Sequence, residues 1–168
     1  MKQDSGFTLI ELIIVIVILG VLAVTAAPKF IDLSSDAKIA SLNAISGTMK
    51  STVTLVQMKA RVKGLRPSAT NPGGIQNDYV IDFGFGSSEI DFRNLCPESI
   101  SEGGDRMSFV DIMNIDLGSN MTSRETNQHT LVGYDIPASG TPTTQGCYII
   151  YDSFGSPNCT IEVVDVDC

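Results

Sequence analysis

From Phe7 to Ala27 the chain runs through twenty-one residues of which Glu11 alone is charged. A helix rises about 1.5 Å per residue, so such a run reaches across the roughly 30 Å hydrocarbon core of a bilayer. Thr8, Gly20 and Thr25 are tolerated in a membrane helix. Glu11 is not so easily accommodated, because a carboxylate in lipid costs on the order of a few kcal/mol and points to a function with a partner. Beyond Ala27 the pattern changes. Leu42, Ile45, Met49, Val53, Val56 and Ala60 recur at spacings of three and four, with Ser41, Asn43, Ser46, Lys50, Ser51 and Lys59 assigned to the opposite face. This predicts that the helix continues through residues 28–63 with one apolar stripe for packing. Pro28 lacks an amide donor and, with Gly20 upstream, marks a place of local weakness. Lys59, Arg61 and Lys63 suit a helix C-terminus better than a nucleic-acid or phospholipid contact, and Gly64 and Pro67 end the helix.

The remaining chain reads as short elements separated by turns. Residues 66–78 hold two prolines and two adjacent glycines and predict a connecting loop. Tyr79 to Phe85 reads as a short strand-like or mixed segment cut by Gly84 and Gly86, and Ile90 to Leu95 as a helical turn ending near Cys96 and Pro97. Phe109 to Met113 and Thr130 to Ile136 are strand candidates, with polar residues 114–129 between them. Cys147 to Tyr151 and Thr160 to Val166 are β-rich and flank Gly155-Ser156-Pro157-Asn158, a turn signal, which predicts a C-terminal hairpin.

Composition adds a division of charge. In the 168-residue chain, residues 1–66 hold eight basic and four acidic residues, a net of +4, and residues 67–168 hold three basic and fifteen acidic, a net of −12, giving −8 in all. The acidic half argues against a nucleic-acid groove and in favour of solubility through repulsion. Cys96, Cys147, Cys159 and Cys168 all lie in that half. Four cysteines beyond an apolar segment suggest an oxidising compartment and two disulfides, with three possible connectivities. A hairpin turning between Pro157 and Asn158 pairs positions whose numbers sum to about 315. This sets Cys147 opposite Cys168 and leaves Cys96 for Cys159.

Candidate chemistry is sparse. Asp111, Asn114 and Asp116, or Asp165 with Asp167, could offer oxygens to calcium, but neither has the spacing of a calcium loop. The cysteine spacings match no zinc pattern, and His129 is isolated. Asn120-Met121-Thr122 and Asn158-Cys159-Thr160 fit the N-glycosylation triplet, a pattern frequent by chance. There is no nucleophile elbow or phosphate loop. The reading is a non-enzyme with no catalytic residue, no cofactor and no metal site.

The N-terminal residues carry a resemblance. Gly6-Phe7-Thr8-Leu9-Ile10-Glu11 followed by an apolar helix resembles the class III signal of type IV prepilins. A cleaved secretory signal or a plain anchor would leave Glu11 without a purpose. The resemblance implies cleavage between Gly6 and Phe7 by a membrane prepilin peptidase, which also N-methylates Phe7. Glu11 matches the family's glutamate at the fifth mature position, and Gly20 and Pro28 match its helix-weakening positions. Ala27-Pro28-Lys29-Phe30 and Asp36-Ala37 are most similar to major pilins of the mannose-sensitive haemagglutinin type, and the clear resemblance covers roughly the first sixty residues. The family's second proline is missing, with Thr48 in its place. Pilins of this kind often close a C-terminal loop by a disulfide, which agrees with a Cys147–Cys168 pair.

The physics of Glu11 gives this resemblance a mechanism. Cleavage would leave an ammonium on Phe7, four residues away and on the same helical face. Axially offset helices then let Glu11 of one subunit meet the Phe7 amine of the next, setting filament register. The expectation is an α+β type IV pilin fold, with a long N-terminal helix packed on a small antiparallel sheet and a disulfide-closed C-terminal hairpin. Its parts are a leader at 1–6, an apolar helix at 7–27 and a head at 28–168 that includes helix 28–64. Implied partners are further copies of the chain, the peptidase and methyltransferase, an inner-membrane platform with its ATPase, and the membrane before assembly. Localisation follows as inner membrane with a periplasmic head, then a surface pilus of a Gram-negative bacterium serving adhesion, biofilm formation or motility. Alternatives are a minor pilin, a type II secretion pseudopilin, or a glycan- or DNA-binding head in which Tyr134, Tyr148 and Tyr151 replace the absent tryptophan.

Overall fold

A computed structural model describes residues 8–71, 73, 77–154 and 159–168, without the side chains of 27, 28 and 30–32. The chain divides into two compact units, residues 1–37 and 38–168. Helix α1, Leu9–Val62, is assigned through both. It ends as the Gly64 signal predicts. Gly64, at φ 85°, donates to the Arg61 carbonyl at 3.0 Å, and the Leu65 amide donates to the Ala60 carbonyl at 3.0 Å. That pair of bonds is the glycine-closed helix end that satisfies the last carbonyls.

In the second unit the apolar stripe is buried as its spacing predicts. Leu42, Met49, Val56 and Ala60 are fully inaccessible, Val53 nearly so, and Ile45 packs at the margin. Ser46, expected on the solvent face, is buried, as is Thr52. Ser46 lies one helical turn beyond Leu42 and three residues before Met49, within the same buried face.

The main sheet is antiparallel in the order β3 (Thr122–Glu125), β4 (His129–Asp135), β5 (Cys147–Asp152), β6 (Thr160–Val164). Alternation sends Val132, Ile149 and Tyr151 into the cluster that contains the α1 stripe. The other sheet face holds a smaller cluster of Leu131, Tyr148 and Val164, joined by Ile136 and Ile150. Gly133 permits the tight β4–β5 approach, since a Cβ there would lie 2.4 Å from the Cys147 carbonyl oxygen. A second, two-stranded ladder pairs β1 (Val80–Asp82) with β2 (Ser87–Glu89).

Several expectations need correction. Phe109–Met113 is a helix, α2, and not a strand. Ser108 caps it, accepting from the Asp111 amide while the Asp111 carboxylate accepts from the Ser108 amide at 2.9 Å. This reciprocal pairing satisfies amides that a strand would have left for a neighbour. Ile90–Leu95 holds the expected single turn, closed by the Leu95 amide donating to the Asp91 carbonyl at 2.8 Å. The Asp91 amide donates to the Cys96 carbonyl at 2.8 Å and Leu95 adopts φ 63°. Residues 114–129 contain strand β3, and Ser87–Glu89 is a strand that no apolar pattern announces. The Gly155–Asn158 turn lies outside the described residues.

Two disulfides join Cys147 to Cys168 and Cys96 to Cys159, with Cα separations of 4.8 and 5.7 Å. The β5–β6 register differs from the expected sum of 315. Tyr148 pairs with Val164 and Ile150 with Glu162, sums of 312, so continuing the ladder would set Asp165 opposite Cys147. Cys168 reaches Cys147 because the chain turns back, with its amide donating to the Asp165 carbonyl at 3.3 Å.

Candidate functional site

In the first unit the described part of α1 presents an open apolar surface. No residue of the Leu9–Ala26 stretch is buried, and this stretch is long and apolar enough to cross a membrane. Leu, Ile and Val side chains here are between 45% and 77% exposed, far more contiguous apolar surface than a soluble surface tolerates. Thr25 hides its hydroxyl by donating to the Leu22 carbonyl at 3.0 Å, which suits an apolar surround.

At the start of α1 the structure supplies Glu11 with a local partner that the sequence reading overlooked. The Thr8 amide and hydroxyl both donate to Glu11 Oε2 at 2.8 Å, and the Glu11 amide reaches the Thr8 hydroxyl oxygen at 3.4 Å. Thr8 stands just before the first helical residue and Glu11 three residues on, so the pair closes otherwise unpaired helix amides from both sides. The Thr-x-x-Glu spacing was the available signal. Gly6 and Phe7, the expected cleavage and methylation residues, lie outside the described residues. Gly20 and Pro28 are within the helical assignment of α1.

The second unit places its polar groups in structural roles. Lys59 and Lys63 stand at the helix end as expected and also donate to the Asp82 carbonyl at 3.2 Å and the Val80 carbonyl at 2.8 Å, tying α1 to β1. Glu89 is fully buried, takes the Arg106 guanidinium as an ion pair, and accepts from Ser101 Oγ at 2.8 Å and from the amides of Glu102 and Gly103. A carboxylate so surrounded anchors the 101–106 turn, and its burial is tolerable because it is paired and hydrogen-bonded. Arg93 bonds Asp91 at 2.6 Å, which raises its pKa, and stacks over the rings of Phe92 and Phe154. Burial, opposed by bonds from Ser108 and Val110, pushes the Glu125 carboxyl up from its ordinary value.

The candidate ligand groups are spent locally. Asp111 caps α2, Asp116 accepts from the Gly118 amide at 2.8 Å, and Asp167 accepts from the Gly146 amide at 2.8 Å. Among the described residues no three potential metal ligands gather. Tyr148 and Tyr151 are fully inaccessible and offer no face to a sugar, which corrects their candidacy. Tyr134 is half-buried against the core beneath Lys38, 5.7 Å from its ring centre. His129 lies 3.6 Å from Asp152.

Known proteins show where these features recur. Residues 1–27 match the family model described as the prokaryotic N-terminal methylation motif. The chain is 43% identical over 59 residues to the type IV narrow pilus major component PilA5 of Thermus thermophilus, covering 35% of this chain and 51% of that protein. It is 35% identical over 83 residues to the fimbrial protein EcpB of Eikenella corrodens, covering 49% of this chain and 51% of that protein. The chain thus spans about half the length of the curated relatives it matches, and no solved structure matches it significantly. Neither relative is described as a mannose-sensitive haemagglutinin pilin, so that narrower resemblance stays with the sequence. The chain carries the N-terminal methylation motif at residues 1–27, its described Leu9–Ala26 stretch is an exposed apolar helix, and its homologues are pilus and fimbrial proteins.

Proposed function

We propose that this chain is the structural subunit of a type IV pilus. The observation that carries the reading is the union of a methylation motif with an apolar helical stretch, Leu9–Ala26, of which no residue is buried. Such a surface needs lipid or other helices, and a polymer core supplies the second when the first is left behind. In this reading a prepilin peptidase cuts between Gly6 and Phe7 and Phe7 is N-methylated. The subunit waits in the inner membrane with residues 38–168 in the periplasm. Platform and ATPase then transfer it to a filament in which apolar helices bundle, with Gly20 and Pro28 as weak points along them. Glu11 meets the Phe7 amine of a neighbour, and the acidic outer surfaces face the environment in attachment.

Intact and peptide mass spectrometry of sheared surface filaments tests this. The expected result is an abundant chain beginning at N-methylated Phe7, four hydrogens lighter than its reduced form because of two disulfides. A processed chain retained in the envelope at low copy would point to a minor pilin or pseudopilin instead. An intact Met1 terminus would refute both.

A further inference from the structure

The second unit carries two complementary features at opposite ends of its helix. One is a groove of about 480 Å³ at the C-terminal end of α1, where Met58, Val62, Val80 and Ile81 form apolar walls beside Lys59, Lys63 and Asp82. Val62 is 89% exposed and Met58 58%, and Met58 also borders a second, separate depression lined by Lys50, Ser51, Thr54 and Leu55. Both lysine ammoniums donate to backbone carbonyls and Lys59 also lies 5.2 Å from the centre of the Phe83 ring, neutral groups that do not cancel their charge, while Asp82 takes the Gly84 amide at 2.7 Å.

The other feature is Val166, 64% exposed between Asp165 and Asp167 on the last turn of the chain. This turn is held rigidly. Cys168 is bonded to Cys147, its carbonyl accepts from Lys38 Nζ at 2.9 Å, and Gly146 and Asp167 exchange two hydrogen bonds of 2.8 and 3.0 Å. An apolar side chain flanked by carboxylates and fixed in place pays little ordering entropy on docking.

We propose that the groove takes the Asp165-Val166-Asp167 turn of a second copy of this chain, an inference that rests on the pilus reading above. Val166 would enter between Met58 and Val62 while the flanking carboxylates face Lys59 and Lys63. Charge selects this occupant, since residues 67–168 carry a net of −12 and the helix segment offers the cations. Position selects the geometry. The Lys38 contact puts the turn beside the start of the unit's helix, and Val62 lies twenty-four residues further along, roughly 36 Å at about 1.5 Å per residue. Unlike patches on opposite ends join head to tail, the arrangement that extends into an open polymer when the rotation does not close a ring.

A photo-cross-linking residue at Val62 of the full-length chain, activated in assembled filaments, tests the contact. The expected product is a chain-to-chain link whose partner peptide contains Val166. Filaments that form but link position 62 to lipid, another protein or another segment overturn the inference and leave the pilus reading intact. A wild-type chain that forms no filaments defeats both. Val62→Glu, which sets a carboxylate against the acidic turn, should lower filament yield several-fold, and adding Val166→Lys should restore most of it. Failure of the double variant to recover, with both singles folded, also overturns the inference.

Discussion

The phenol of Tyr151 sits where ionisation is costly. It is fully inaccessible, stacks on Phe109 at 4.0 Å between ring centres, and donates to the Pro97 carbonyl at 2.6 Å. Burial first, then the nearby charges of Asp152, Asp91 and Glu98, hold its pKa well above the ordinary value. The folded-state value therefore exceeds the unfolded one. Its contribution is intact below about pH 10, where an unfolded tyrosine keeps its proton, and is lost as pH climbs toward the folded value. Urea unfolding of the detergent-solubilised chain should show stability falling above about pH 10, with a shallower fall in Tyr151→Phe. That variant should also lose about 1 kcal/mol at neutral pH, because the Pro97 carbonyl is left without its donor. An unchanged alkaline slope would show that other groups drive the loss. Glu89 makes a related point about single residues. Its strand reads Ser-Ser-Glu, a polar sequence, and its burial rests on the distant Arg106, the Ser101 hydroxyl and the amides of Glu102 and Gly103.

At the scale of elements, α2 owes its existence to two side chains outside its apolar pattern. Ser108→Ala should remove the cap at a cost of about 1 kcal/mol, read as a lower unfolding midpoint with the slope unchanged. A neutral effect would mean that packing of Phe109 and Ile112 alone maintains the helix. The same contrast explains what could be read in advance. The stripe from Leu42 to Ala60 spans five helical turns, and that periodicity has no strand counterpart, so its burial was legible. Five apolar-rich residues at 109–113 fit either period, and the deciding signal was the Ser108-x-x-Asp111 spacing. The C-terminal strands were legible from β-branched and aromatic runs, but their register was not. Register depends on the turn, and a three-position error still gave the Cys147–Cys168 pair because the chain end folds back on Asp165.

At the scale of the whole molecule, the two roles open to Glu11 make different demands on assembly. As a helix cap it needs a hydrogen-bond acceptor that Thr8 can reach, and a neutral amide serves that purpose nearly as well as a carboxylate. As a register device it needs charge, because only an ionised group attracts a neighbour's terminal ammonium in an apolar surround, and leaving that ammonium unpaired is costly. Two substitutions separate the roles. Glu11→Gln keeps the cap and removes the charge, whereas Thr8→Val removes the cap and keeps the charge. If register is the dominant role, Glu11→Gln should reduce sheared filament yield at least tenfold, with Thr8→Val assembling within a few-fold of wild type. The reverse ranking would assign Glu11 to helix initiation and leave filament register to other contacts, including the one proposed between Val62 and Val166. Immunoblotting for the processed chain in the membrane fraction completes the comparison. Equal amounts of mature subunit in both variants place the defect at assembly, after cleavage, which is where a charge pair between subunits would act.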